Sequence, residues 1–248
     1  MAEVSYHRLL TECRQQDNSR EMFLGALQDV GGKVDFSRIK SCVAFGTADG
    51  GFELEFVRRL LPNLRAFTAV EPDPESATAL RAHFHDGRLA GVETSVVETT
   101  IESWDGGGRR HDAVLLFSVL HYVHSEDRKI FFRKLMTRYL RDGGMVVIFD
   151  NVTSIPSGYL LVLKRFGTSR VDYDELEAEM VEAGFRVASK QDVEQRCEYS
   201  DPSDGVVKFI QLMVGQEIAE SEVRRAIVEI FSQPNMDIYV QKLAIFTK

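Results

Sequence analysis

The chain has 248 residues, 44% of them hydrophobic, enough apolar side chains for a continuous core. Its 38 acidic and 30 basic residues give a net charge of −8, which repels a phosphate backbone and argues against nucleic acid as a partner. The three cysteines, Cys13, Cys42 and Cys197, lack C-x-x-C spacing, no apolar run nears the roughly 20 residues that cross a bilayer, and Met1 to Leu10 lacks a signal peptide's apolar centre, so a cytoplasmic protein without a membrane is expected.

Tyr6, Leu9, Leu10 and Cys13 recur at helical spacing. A second helical pattern follows Asn18 through Met22, Phe23, Ala26, Leu27 and Val30, and Gly31-Gly32 ends it. From Ser41 the pattern becomes short β-rich runs alternating with helical stretches: Cys42 to Phe45, Ala66 to Val70, Val92 to Val97, Ala113 to Phe117 and Met145 to Phe149. That alternation predicts a parallel sheet with helices on both faces.

The helix before the fifth strand has Ser125 as its expected N-cap, Glu126 and Asp127 in the first turn, and Phe131, Leu135 and Tyr139 on one face, with Gly143-Gly144 as its stop. Beyond Asp150 the spacing predicts helices over Tyr159 to Phe166 and Asp172 to Ala183, then a strand from Phe185. Helices near Val206 to Val214 and Glu222 to Ser232 precede a last alternating strand from Asp237 to Phe246. With no repeat or Pro-rich linker to divide it, the chain reads as a single α/β domain over residues 1–248. Residues 1–32 form a helical cover, 40–150 a cofactor-binding core, and 151–248 the substrate-cover helices and last strands.

The run Phe45-Gly46-Thr47-Ala48-Asp49-Gly50-Gly51-Phe52 falls where the first strand must turn into a helix, and glycines there let the backbone approach a ligand. Glu71, at the end of the second strand and ahead of Pro72, is placed to accept hydrogen bonds from ribose hydroxyls. Gly46, Ala48 and Gly51 fall on the G-x-G-x-x-G spacing of dinucleotide sites, but Ala48 replaces the glycine that approaches pyrophosphate. S-adenosylmethionine carries no phosphate and tolerates that alanine better.

Two later segments bear on that choice. The run Phe117-Ser118-Val119-Leu120-His121-Tyr122-Val123, followed by an amphipathic helix and by Leu140-Arg141-Asp142-Gly143-Gly144 ahead of Met145 to Asp150, resembles the second half of Rossmann-like class I methyltransferases. The resemblance implies a mainly parallel seven-stranded sheet and S-adenosylmethionine as methyl donor. It places Gly46, Thr47, Gly50, Glu71 and Pro72 in the cofactor site, Ser76 near the ribose, Thr100 and Ile101 at the adenine, and Phe117 beside the methionine part.

Over nearly the whole chain, the paired N-terminal helices, Val70-Glu71-Pro72, Glu98-Thr99-Thr100, Tyr122-Val123 and Phe166-Gly167-Thr168-Ser169-Arg170 resemble histamine N-methyltransferase and its relatives. That family implies a monomer in which a small amine enters an aromatic-lined pocket beneath the N-terminal helices. Position by position it sets Gln16, Ser118, His121, Tyr122, Tyr159 and Tyr239 around the acceptor. The family's histamine enzymes carry a glutamate where Gln16 stands and an asparagine where Tyr239 stands; Asp17 is the nearest substitute acid. Loss of that carboxylate shifts the expected acceptor from histamine to another imidazole-bearing or aromatic amine.

His121 or an ordered water is the expected proton acceptor for acceptors that lose a proton, and His121 is equally placed to be a pocket wall. O-methylation of a small carboxylic acid or phenol, and a cofactor-binding regulatory protein without catalysis, stay open as alternatives. No metal is expected, because the Asp150-Asn151 pair stands alone.

Overall fold

A computed structural model describes residues 5–87 and 89–248. Residues 1–4 of the expected helical cover lie outside the described residues. In chain order the elements are α1 (Tyr6–Arg14), α2 (Ser19–Gly31), β1 (Ser41–Phe45), α3 (Gly51–Leu60), β2 (Ala66–Val70), α4 (Pro74–His85), β3 (Glu93–Val97) and β4 (His111–Phe117). There follow α5 (Ser125–Lys134), β5 (Leu140–Asn151), α6 (Gly158–Arg165), α7 (Tyr173–Glu182), β6 (Arg186–Arg196), α8 (Asp204–Val214), α9 (Glu220–Phe231) and β7 (Ile238–Thr247).

The seven strands form one sheet in the order β3-β2-β1-β4-β5-β7-β6. The pairs from β3 across to β5 are parallel, whereas β7 runs antiparallel to both β5 and β6. This is the expected Rossmann-like methyltransferase fold. Period-2 alternation puts helices on both faces. In β1, Cys42 and Ala44 pack with Phe23 and Leu27 of α2 and Phe56 of α3. Val43 and Phe45 turn the other way, onto Phe131 and Phe132 of α5, with Leu176 and Met180 of α7 in the same layer. A third apolar cluster joins Leu9 and Cys13 of α1 to Val162 and Leu163 of α6, Ile210 of α8 and Ile227 of α9. That cluster roofs the sheet's carboxyl end. Among the described residues no helix is long and apolar enough to cross a membrane.

Two sequence expectations around α5 require correction. His124 is its N-cap, without a side-chain cap bond, because the Ser125 hydroxyl is drawn 3.1 Å onto the Glu179 carboxylate of α7. The Gly143-Gly144 pair does not stop the helix. A π turn over Leu135–Tyr139 does so, and β5 has begun at Leu140. The pairing between β4 and β5 slips between His111 and Ala113, and Gly143, at φ 74°, takes the left-handed conformation that this irregularity opposite them requires.

Candidate active site

In an open parallel sheet the strand ends that face a crevice are where a ligand can reach backbone and side chains from several strands at once. Here a cavity of about 480 Å³ opens over the carboxyl ends of β1, β2 and β4, and the end of β6 and start of β7 complete its wall. Helix α1 closes it from above: Arg14 pairs with Asp49 of the glycine turn at 3.2 Å, and the Tyr6 and Tyr122 hydroxyls lie 3.2 Å apart. Within the turn, Gly46 at φ 60° has no room for a Cβ, which would stand 2.4 Å from Val119 Cγ2. Ala48 takes a positive φ of 47°. Its N–H donates to Glu71 Oε2 at 2.7 Å, while Glu71 Oε1 accepts from the Asp73 N–H at 3.0 Å. The carboxylate at the end of β2 thus locks the glycine turn to the start of α4. Burial holds Glu71 above the usual carboxylate range, against those two hydrogen bonds.

Of the expected cofactor residues, Gly46, Glu71, Pro72, Thr100, Ile101 and Phe117 share this wall. Phe117 is also core, edge-on to Phe23 and Phe56. Thr47, Gly50 and Ser76 lie outside it. Gly50 caps α3 in the left-handed conformation and packs toward Leu80. The Thr47 and Ser76 hydroxyls are buried without partners among the described residues, and Asp73, the N-cap of α4 that accepts from the Ser76 N–H at 2.8 Å, lines the cavity.

Ser118, His121, Tyr122, Tyr159 and Tyr239 line the same cavity, with Ser118 and His121 beyond β4 and Tyr239 on β7, across the strand order from Glu71 beyond β2. Gln16 does not join them. Its amide donates to the Glu198 and Asp201 carbonyls and accepts from the Ser203 N–H at 2.9 Å, so it ties the helical pair to the loop after β6. Asp17, one residue on, does line the cavity, and burial raises its pKa. His121 is buried with neither ring nitrogen hydrogen-bonded among the described residues; its Nδ1 lies 3.7 Å from Asp150 Oδ1. Burial lowers its pKa below the ordinary 6.5, a shift that the Asp150 carboxylate opposes, so the imidazole is neutral at pH 7.

Tyr239 donates to Asn151 Oδ1, and Gln241 Nε2 donates to Ser118 Oγ at 2.9 Å. Gln195 in turn donates to Gln241. This network fixes the antiparallel edge of the wall. Arg170, Gln195 and Gln241 were not singled out as site residues from the sequence. Gln241 follows Tyr239 by the two positions that put both on one strand face, a signal that was there to read. Arg170 sits beyond α6 and reaches the cavity only because the chain folds back, which no periodicity encodes.

Residues 44–148 match the methyltransferase domain family. No curated protein matches the chain. Solved structures share the fold at low identity. A Bacillus halodurans C-125 protein described as a methyltransferase superposes with a TM-score of 0.63 at 14% identity, over 91% of this chain and 98% of that one. A cyclopropane synthase from Mycobacterium tuberculosis gives 0.60 at 12%, over 90% and 83%. The geranyl diphosphate C-methyltransferase from Streptomyces coelicolor A3(2), solved with Mg2+, geranyl-S-thiolodiphosphate and S-adenosyl-L-homocysteine, gives 0.57 at 14%, over 90% and 74%. The domain match covers residues 44–148, and the solved structures share the fold of nearly the whole chain.

Proposed function

We propose that this chain methylates a small molecule at an uncharged nitrogen of an imidazole-bearing or aromatic amine, with S-adenosylmethionine as donor. The observation that carries the reading is one cavity with two chemically distinct ends. At one end Glu71 and Asp73 offer carboxylate oxygens, and Pro72 and Ile101 flank them with apolar surface, a donor set that fits a ribose and an adenine ring. Glu71 has lone pairs left after its two backbone bonds, and Gly46 keeps the turn close. When bound there, S-adenosylmethionine supplies an electrophilic methyl on its sulfonium. The likeness to histamine N-methyltransferase in motif order supports an amine acceptor at the other end.

The chain's own work is then positioning, exclusion of water and proton handling. Tyr159 and Tyr239 meet edge to face at 5.5 Å and wall the acceptor end, while α1 covers it through the Tyr6–Tyr122 contact. A neutral imidazole nitrogen attacks with its lone pair and needs no strong base. An aromatic amine or phenol must lose a proton, and neutral His121, with both ring nitrogens unpaired, accepts it at one of them. Arg170 on the same wall favours a second reading, O-methylation of a carboxylic acid, whose anion it would hold. The likeness to histamine N-methyltransferase favours action as a monomer, and the free, buried Cys13, Cys42 and Cys197 suit a reducing cytoplasm.

Calorimetry with S-adenosylmethionine and S-adenosylhomocysteine, then labelled methyl transfer to an amine, phenol and acid panel with product mass spectrometry, tests the reading. Micromolar binding and an N-methyl product are expected. A folded protein that binds neither donor nor product overturns it, and an O-methyl product alone selects the second reading.

A further inference from the structure

We infer that the methyl acceptor carries a carboxylate group and that Arg170 anchors it. The inference rests on the methyltransferase reading and deepens it. Arg170 lies on the cavity wall with Nη2 donating to the Tyr159 hydroxyl at 2.8 Å. Its guanidinium carbon stands 5.5 Å from the ring centre of Tyr122 and 5.9 Å from that of Tyr159. Its Nε is buried and has no acceptor among the described residues. Among the described residues no carboxylate pairs with it.

Two other arginines show how this protein treats such a charge when its role is structural. Buried Arg128 is gripped by Glu179 and Glu175 and donates to the Val123 carbonyl. Arg14, on the same cavity wall as Arg170, is paired with Asp49. A guanidinium stays protonated at any working pH, and an unpaired buried charge is costly, so a cation left facing a cavity is matched by what enters it. Tyrosine ring faces compensate part of the charge but cannot accept its N–H fork, whose geometry suits a planar carboxylate.

The sign and size of the charge narrow the group further. Asp17, Glu71, Asp73 and Glu102 line the same cavity, so a phosphate dianion would meet repulsion, whereas a carboxylate monoanion is balanced by Arg170, which has no carboxylate partner among the described residues. An acceptor presenting an ammonium group to this wall would meet Arg170 instead of a partner. Asp17 accepts from the Ser19 N–H at 2.9 Å and lies elsewhere on the wall, available to a donor on the acceptor's far side.

The test uses the full chain saturated with S-adenosylhomocysteine and matched pairs of probes: imidazole-4-acetate against 4-methylimidazole, 4-aminobenzoate against aniline, and histidinol phosphate against histidinol. Calorimetry is expected to show each carboxylate binding about tenfold or more tightly than its uncharged mate. Arg170→Met removes that preference and Arg170→Lys restores part of it, both with the S-adenosylhomocysteine affinity of the parent. Equal binding of carboxylate and uncharged mates, a stronger preference for the phosphate, a preference that survives Arg170→Met, or no binding by any probe overturns the inference. In each of those outcomes intact S-adenosylhomocysteine binding leaves the methyltransferase reading standing. Loss of that binding in the parent protein would overturn the methyltransferase reading as well.

Discussion

His121 Nδ1 lies 3.7 Å from Asp150 Oδ1, and both side chains are withdrawn from solvent at the end of the sheet where β4 and β5 run side by side. Burial makes the neutral imidazole the resting form, while the carboxylate favours the imidazolium that forms on accepting a proton. For an acceptor that must lose a proton, kcat is expected to hold as pH falls through 6.5, because the histidine's depressed pKa lies below that ordinary value. Asp150→Asn, at a positioning residue, should move the acidic limb of the kcat profile to still lower pH. His121→Gln should lower kcat by roughly 10²–10⁴ without changing S-adenosylhomocysteine affinity. A pH profile unmoved by Asp150→Asn and a near-normal kcat in His121→Gln would assign His121 to the wall alone.

Much of this frame was readable from residue patterns, because the strands Ala66–Val70 and Ser41–Phe45 are short apolar runs with turn signals on both sides. Gly46 and Glu71 were readable for the same reason: strand ends in a parallel sheet converge, so local order implies proximity. The acceptor end was less legible. Gln16 and Asp17 are neighbours, and one residue of register decides which faces the cavity. The Asp17–Cys197 bridge between α1's loop and the end of β6, a contact far apart in sequence, sets that register. Arg170 and the Ser125–Glu179 bond depend in the same way on contacts between distant segments, and so escaped a reading by spacing.

Glu71 performs two tasks with one carboxylate, and a substitution separates them. Glu71→Gln keeps the shape but leaves one of the Ala48 and Asp73 N–H groups facing an amide NH2. S-adenosylhomocysteine affinity is expected to fall about 10- to 100-fold, the size of a lost charge-assisted hydrogen bond. Calorimetry reads this directly, and an unchanged Kd would remove Glu71 from the ribose site and leave it only as a clamp on the turn.

Arg128 tests a different kind of charge. It is buried on α5 between Glu179 and Glu175 of α7, with Nε donating to Glu179 Oε2 at 2.9 Å. Arg128→Ala strands the buried Glu179 carboxylate, and urea unfolding is expected to show a loss of about 3–5 kcal/mol. Arg128, Glu175 and Glu179 do not line the cavity, and Arg128 touches its wall only through the Val123 carbonyl, so S-adenosylhomocysteine affinity should change far less than stability under native conditions. A loss below about 1 kcal/mol would mean that Glu179 finds other partners or water.

Glu53 gives the protein a pH dependence that runs opposite to that of an ordinary ion-paired acid. It is buried on the first turn of α3, and burial pushes its pKa up to about 8 from 4.5, with Asp49 and Glu71 adding to the shift and Arg14 opposing it. The folded chain therefore holds a proton there that the unfolded chain releases above pH 4.5. Its contribution to stability is complete below 4.5 and declines as pH rises, until the group ionises in both states above 8. Raised pKa values at Asp17 and Glu71 act with the same sign, so wild-type stability alone cannot isolate Glu53. Glu53→Gln can, because the amide resembles the protonated acid and does not titrate. Melting temperatures of the two proteins should converge near pH 5, and the variant should lead by a growing margin at pH 7 and 9. Parallel curves across that range would show that Glu53 ionises in the folded chain as readily as in the unfolded one, with Arg14 close enough to hold its charge.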